Sequence, residues 1–210
     1  MPYTTLVPVD VQKLYEVHEW RHAAAVLKTD FPQEWDDLIH VLRSFRLFRS
    51  EIEKPGGNRS KISIRIDRYF FVLGWRAKAF QTAVLVDERR LDSPTHAVDN
   101  YKNRVACDVE WNNKDPFYDR DFNNYRLLFE LRALSVGIIV TRTSELQALF
   151  AQLGRGSSYG ASTTHMSKLL PRMQGGSAGG CPILVFGIKP EAYVDDIENP
   201  TEFVALPESN

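Results

Sequence analysis

One short segment, Val105-Ala106-Cys107-Asp108-Val109-Glu110-Trp111, constrains the fold more tightly than any other part of this chain. Strand alternation sends Val105, Cys107, Val109 and Trp111 to one face and Ala106, Asp108 and Glu110 to the other. The first face calls for a β-sheet lying on an apolar core. The second carries two carboxylates side by side, with Asp99 just ahead of the strand. Adjacent carboxylates on a half-buried strand repel each other unless a cation or a shared proton relieves them. Three hard oxygen donors from two neighbouring segments suit Mg²⁺. The pattern therefore points to metal-assisted hydrolysis.

The surrounding chain alternates helices and strands. Residues 10–28 place Val11, Leu14, Tyr15, Ala24, Ala25 and Leu27 near one face, which predicts a helix. Asp30 followed by Gln33 reads as a capping box opening a second helix, with Trp35, Leu38, Ile39 and Leu42 in its apolar stripe. The Pro55-Gly56-Gly57-Asn58 break is followed by Ile62, Ile66, Phe70 and Leu73 at helical spacing, with Gly74 as a C-cap. Phe80, Thr82, Val84 and Val86 alternate as a strand, and residues 91–94 are turn-rich. Asp119 is placed to cap a helix running to about Leu134. Val136-Gly137-Ile138-Ile139-Val140-Thr141 is continuously apolar, as in strands buried on both faces. Ser144 opens a helix that Gly154 closes, a polar loop follows, and a short helix is expected over residues 165–170. A Gly-rich stretch over residues 174–180 leads to a last strand over 182–188. The expected fold is α/β, a central mixed sheet sandwiched by helices, in one domain over residues 1–190. Residues 191–210, with six acidic and no basic residues, read as an acidic C-terminal tail.

Net charge is −1, which alone argues against a polyanionic partner, but residues 41–80 hold ten Lys/Arg against three Asp/Glu. Such asymmetry allows a basic groove on a nearly neutral protein, although charged helix faces in solvent would look the same. No apolar run approaches the ~20 residues of a membrane span. Met1-Pro2-Tyr3-Thr4-Thr5 lacks a signal-peptide pattern, and Cys107 and Cys181 sit in apolar strand-like surroundings as buried thiols. A cytoplasmic location is the expectation.

A second motif competes. His18-Glu19-Trp20-Arg21-His22 matches H-E-x-x-H, which on a helix sets two imidazoles one turn apart for Zn²⁺. Arg21 would put a cation inside that shell, and neither His40 nor Glu34 has persuasive spacing as a third ligand. A zinc hydrolase through His18 and His22 is thus the lesser alternative to an amphipathic helix with two histidines at its edge.

The stretch Asp99-Asn100-Tyr101-Lys102-Asn103-Arg104-Val105-Ala106-Cys107-Asp108-Val109-Glu110 resembles type II restriction endonucleases of the BglII and BstYI kind, within the PD-(D/E)XK nuclease superfamily. The similarity continues through Leu134-Ser135-Val136-Gly137-Ile138-Ile139-Val140 and Gly180-Cys181-Pro182-Ile183-Leu184-Val185-Phe186-Gly187-Ile188-Lys189-Pro190. It is less distinctive in Phe31-Pro32-Gln33-Glu34-Trp35 and around Gly74-Trp75.

The resemblance implies a homodimer that uses one or two Mg²⁺ ions per active site to cut both strands of a short palindromic double-stranded DNA site. Asp99 falls on the first metal-binding aspartate, Asp108 on the second acidic position, and the Val109 carbonyl on a usual ligand. Glu110 stands where the superfamily has Lys and the nearest relatives Gln. BamHI-like enzymes are acidic there too, so Glu110 is expected to orient the attacking water or to ligate a second ion. A catalytically weak or inactive sequence-specific DNA-binding protein of the same fold is the alternative that this departure suggests. For DNA contact the candidates are Asn112, Asn113 and Lys114 after the strand, Arg155, Ser157 and Ser158 in the 155–162 loop, and Lys102 toward phosphate. For each, a plain polar surface role is the competing reading. A GATC-centred site, a four-base 5′ overhang and a methyltransferase encoded nearby are further implications of the resemblance.

Overall fold

The computed structural model describes residues 6–54, 60–160 and 162–198. In chain order the elements are α1 (Val9–Leu14), β1 (Tyr15–Trp20), α2 (Ala23–Asp30), α3 (Pro32–Ser44), β2 (Leu47–Phe48) and α4 (Arg49–Ile52). There follow α5 (Lys61–Val72), β3 (Arg76–Lys78), β4 (Gln81–Val86), β5 (Arg89–Pro94), β6 (Val98–Lys102) and β7 (Val105–Val109). The chain continues with α6 (Phe117–Glu130), β8 (Val136–Arg142), α7 (Leu146–Gln152), α8 (Met166–Gln174), β9 (Ile183–Ile188) and β10 (Tyr193–Val194).

Six strands form one mixed sheet in the order β1-β9-β8-β7-β6-β3. Its centre, β7-β8-β9, is parallel, and the outer pairings are antiparallel. Every residue of β7, β8 and β9 is buried, because helices cover both faces. On one side Val105, Cys107, Val109, Ile138 and Phe186 share a core with residues of α1 to α5 and α7. On the other, Ala106, Ile139, Ile183 and Val185 pack against α6 and α8. The α/β sandwich read from the sequence is the fold of the chain. Gly137 explains how closely α6 approaches: a Cβ there would sit 2.4 Å from the Tyr125 ring. No described helix is long and apolar enough to cross a membrane.

The structure departs from the sequence reading in several places. The helix expected over residues 10–28 is interrupted by β1, whose residues pair with β9 from Tyr15↔Ile188 to Trp20↔Ile183. Tyr15 and Val17 are buried with period two, and an open sheet edge outweighs local helix propensity. Asp30 closes α2 instead of capping α3, which starts on Pro32 at its first position. Residues 91–94 belong to β5, paired with β4 through Asp87 and Glu88, both at positive φ as a two-residue hairpin turn needs. The helix expected from Asp119 begins at Phe117.

Ser60 caps α5, its Oγ accepting the Ser63 amide at 3.0 Å, and Gly74 at φ +90° ends that turn. The Pro55-to-Asn58 break lies outside the described residues, as do residues 199–210. Residues 191–198, read as the start of an acidic tail, pack on the domain instead. Ala192 is fully buried, β10 pairs with β2, and Asp195 and Asp196 accept hydrogen bonds from Arg49 and Ser50.

Candidate active site

At the C-terminal end of β7 a cleft of about 550 Å³ opens between the N-terminal turn of α5, the start of α6 and the 155–159 loop. Asp99, Val109 and Glu110 form its floor, and Lys54, Lys61, Arg120 and Arg155 stand around it. An acidic floor inside a basic rim is the arrangement that the charge asymmetry of the sequence permits.

Strand pairing brings the acidic residues together. β6 and β7 are antiparallel neighbours, with Asn100 opposite Cys107, and the Asp99 amide donates to Asp108 Oδ1 at 2.7 Å. The Glu110 amide continues the ladder to the Val140 carbonyl at 2.9 Å. Alternation holds as read: Val105, Cys107, Val109 and Trp111 face one core, while Asp108 and Glu110 face α6. The acidic face is not half-open, however. Asp108 is 3% exposed and Glu110 1%.

That burial governs the electrostatics. Desolvation, with the charges of Asp121 and Asp99, pushes the Asp108 carboxyl well above the ordinary carboxylate range. Burial also raises Glu110, although Asp121, Asn113 and Arg120 pull it back. Asp121, on α6 and 3% exposed, is raised well above the ordinary range by burial and by the Glu110 charge. Two buried carboxyl groups in contact need a proton between them. Asp121 Oδ2 has no hydrogen-bond partner among the described residues, so a proton shared within the Asp121–Glu110 pair is what would relieve it. Asn113 Nδ2 donates to Glu110 Oε2 at 2.7 Å, and Arg120 Nη2 to Glu110 Oε1 at 3.3 Å.

The loops expected to touch DNA are stitched together. The Thr164 amide donates to the Asn113 carbonyl (2.8 Å), the Asp115 amide to the Ser162 carbonyl (3.2 Å), and Lys114 bridges Thr163. The buried Arg142 holds the same loop through the Tyr159 carbonyl and Thr163 Oγ1. Asn112, Asn113, Arg155 and Ser158 line the cleft, whereas Lys114 and Ser157 are exposed beside it. Asn112 takes φ 59°, a left-handed conformation that Asn tolerates, and its Oδ1 is buried without a partner among the described residues. Lys102 is not brought to the cleft. Its Nζ donates to Asp37 Oδ2 at 2.7 Å and to the Leu73 carbonyl at 3.0 Å.

The H-E-x-x-H motif loses its geometry because His18 and Glu19 lie on β1, not on a helix. His18 bonds Glu16 at 2.7 Å, Glu19 Oε2 accepts the Ala24 amide at the start of α2, and His22 sits past the strand at φ 56°. The one-turn spacing that would converge two imidazoles on Zn²⁺ does not exist here.

A family model described as restriction endonuclease BglII/BglIII matches residues 15–188. The chain belongs to this family. The match runs from the first residue of β1 to the last of β9 and so spans the whole six-stranded sheet and the cleft. A comparison with curated proteins finds no match. Membership in the BglII family makes the protein a restriction-endonuclease-type nuclease at the level of the family, and gives the acidic floor its context. Sequence reasoning missed Arg120 and Asp121. The signal was present for Asp121: it sits among Tyr118, Phe122 and Tyr125 at helical spacing, a carboxylate where the core face calls for an apolar side chain.

Proposed function

We propose that this member of the BglII family is a type II endonuclease that hydrolyses both strands of a short palindromic double-stranded DNA site with Mg²⁺. The observation that carries the reading is the convergence of Asp99, Val109 and Glu110 on one cleft, with Asp108 held against the Asp99 amide. Among the described residues no three His, Cys, Asp or Glu side chains already form a metal cage. The donor set nevertheless suits a hard dication: carboxylate and carbonyl oxygens only, with more negative charge than the surroundings neutralise. Asp99, Asp108 and the Val109 carbonyl would hold one ion, and Glu110 would orient the attacking water or ligate a second. The ion would lower the pKa of water and neutralise phosphate charge.

The chain's own residues do the rest. Asn113 and Arg120 fix the Glu110 carboxylate, and Asp121 packs its own carboxyl group beside it. Asn112, Asn113 and Arg155 offer base-reading groups at the rim, and Lys54 and Lys61 offer charge to the backbone. A homodimer suits a palindromic site, since a two-fold axis gives each strand its own active site. The exposed stripe Ile64, Phe71 and Val72 on α5, next to the cleft wall, favours pairing of two copies there. Glu110 at the superfamily's lysine position favours the second reading, a DNA-binding protein that cuts weakly or not at all.

Incubation with phage DNA and Mg²⁺ separates these readings. Discrete fragments, starting with substrates rich in GATC-centred palindromes, are the expected result; a mobility shift without cutting supports the second reading. Sedimentation of the specific complex should give two copies per duplex. A methyltransferase gene beside this one would accord with a restriction-modification role.

A further inference from the structure

The BglII-family signature leaves one electrostatic task without an owner. Hydrolysis adds a water oxygen to phosphorus while the bond to the leaving sugar oxygen breaks; the water loses a proton and the leaving oxygen gains one. Charge builds on the phosphate oxygens meanwhile, and a cation beside them lowers the barrier. Lysine supplies that cation in the superfamily signature, and Glu110 cannot.

Resting on the nuclease reading above, we infer that Arg120 supplies the positive charge to the reacting phosphate. Arg120 stands in the first turn of α6, lines the same cleft as Asp99 and Glu110, and has a side chain 31% exposed. Asp121 Oδ1 accepts both Nε (3.0 Å) and Nη2 (2.8 Å), and the Phe117 ring lies 4.3 Å from the guanidinium carbon. One edge of the guanidinium is therefore clamped in place. Nη1 has no hydrogen-bond partner among the described residues, so the group keeps donors for a phosphate. A guanidinium remains charged at any pH in which the protein folds, and its planar array of donors matches phosphate oxygens.

The alternative role is structural: Arg120 would merely neutralise Glu110 and Asp121. Two measurements on the intact chain separate the roles. In single-turnover cleavage with saturating enzyme, Arg120→Gln should lose at least about a hundredfold, with Arg120→Lys keeping more. In metal-free binding, the wild type and Arg120→Gln are each compared on a cognate duplex and on the same duplex with a neutral methylphosphonate at the cleaved phosphate. Loss of a charge-assisted contact predicts that neutralisation penalises the wild type about tenfold more than the variant. Equal penalties, or Arg120→Gln cutting within about threefold of wild type, would overturn the inference while leaving the nuclease reading intact. A wild-type protein that cuts no DNA overturns both.

Discussion

Two groups of charge, one half-buried and one buried, lie on opposite sides of the β6-β7 pair, and they are built on opposite rules. On the α3–α5 side, Asp37 accepts from Lys102 Nζ (2.7 Å) and Trp75 Nε1 (2.9 Å), so the carboxylate meets a cation and an N–H. On the α6 side, Asp108, Glu110 and Asp121 crowd like charges together, with Arg120 as the cation that bonds them and with neutral donors on Asn113 and the Asp99 amide. The first group is what a protein assembles to stay folded. The second costs stability in the free protein and makes sense where a cation or a phosphate is due to arrive. A buried group that destabilises its own fold marks chemistry more surely than one that completes it.

The largest effect expected on the acidic side is catalytic. Asp99→Asn should lower DNA cleavage by at least about a thousandfold while specific binding persists in a mobility-shift assay, since a single group that stabilises the transition state is already worth about 10²–10³. A variant that cuts within about tenfold of wild type breaks the comparison. On the paired side, Asp37→Ala should leave cleavage chemistry alone but lower unfolding stability by about 2 kcal/mol, because it removes the acceptor shared by the Lys102 ammonium and the Trp75 N–H. Chemical denaturation measures this directly.

Glu110 gives the next effect. Glu110→Gln keeps the size and some hydrogen bonding and should slow cleavage by about tenfold to a hundredfold. Glu110→Lys places a second cation against Arg120 and should cut activity further, with a simpler dependence on Mg²⁺ concentration. Full activity in Glu110→Lys with an unchanged Mg²⁺ dependence would exclude an ion on Glu110.

The smallest effect is one of sign. Asp108 and Asp121 have folded-state pKa values raised above their unfolded values. Their contribution to stability is fully present below the unfolded value near 3.8 and is lost as pH rises through the raised values. Thermal melts of the metal-free protein should therefore show stability draining away on the alkaline side. Asp121→Asn should flatten that slope and gain about 1–2 kcal/mol at about pH 8, the order of one pKa unit. A steeper slope in the variant would mean that Asp121 is a favourable partner and not a crowded one.

The acidic strand is legible in the sequence because period-two alternation is local: Val105, Cys107 and Val109 mark their own face, and Asp108 and Glu110 are left on the other. The apolar run of β8 is legible for the same reason. β1 is not, because Tyr15 also fits a helix stripe with Val11 and Leu14, and only the free edge of β9, at the far end of the chain, decides between them. The burial of Asp108 is equally hidden. It depends on α6, which Gly137 allows to lie close on β8, and nothing near residue 108 encodes that. Lys102 reads as a phosphate contact from its place in the chain, yet Asp37, far off in sequence, claims it. Arg120 carries no mark of its own in the sequence; only its partner Asp121 does, as a carboxylate at a position that the helical pattern calls apolar.

One substitution tests the central claim, that the α6-side carboxylates are kept against the interest of the free fold for the sake of hydrolysis. Asp108→Asn preserves an acceptor for the Asp99 amide and removes the buried charge. Metal-free melting at about pH 8 and cleavage of cognate DNA in Mg²⁺ are to be measured on the same preparation. The account predicts a melting temperature several degrees above wild type, corresponding to about 1–2 kcal/mol, together with loss of cleavage. A variant that melts lower than wild type, or that still cuts DNA at a comparable rate, would contradict it.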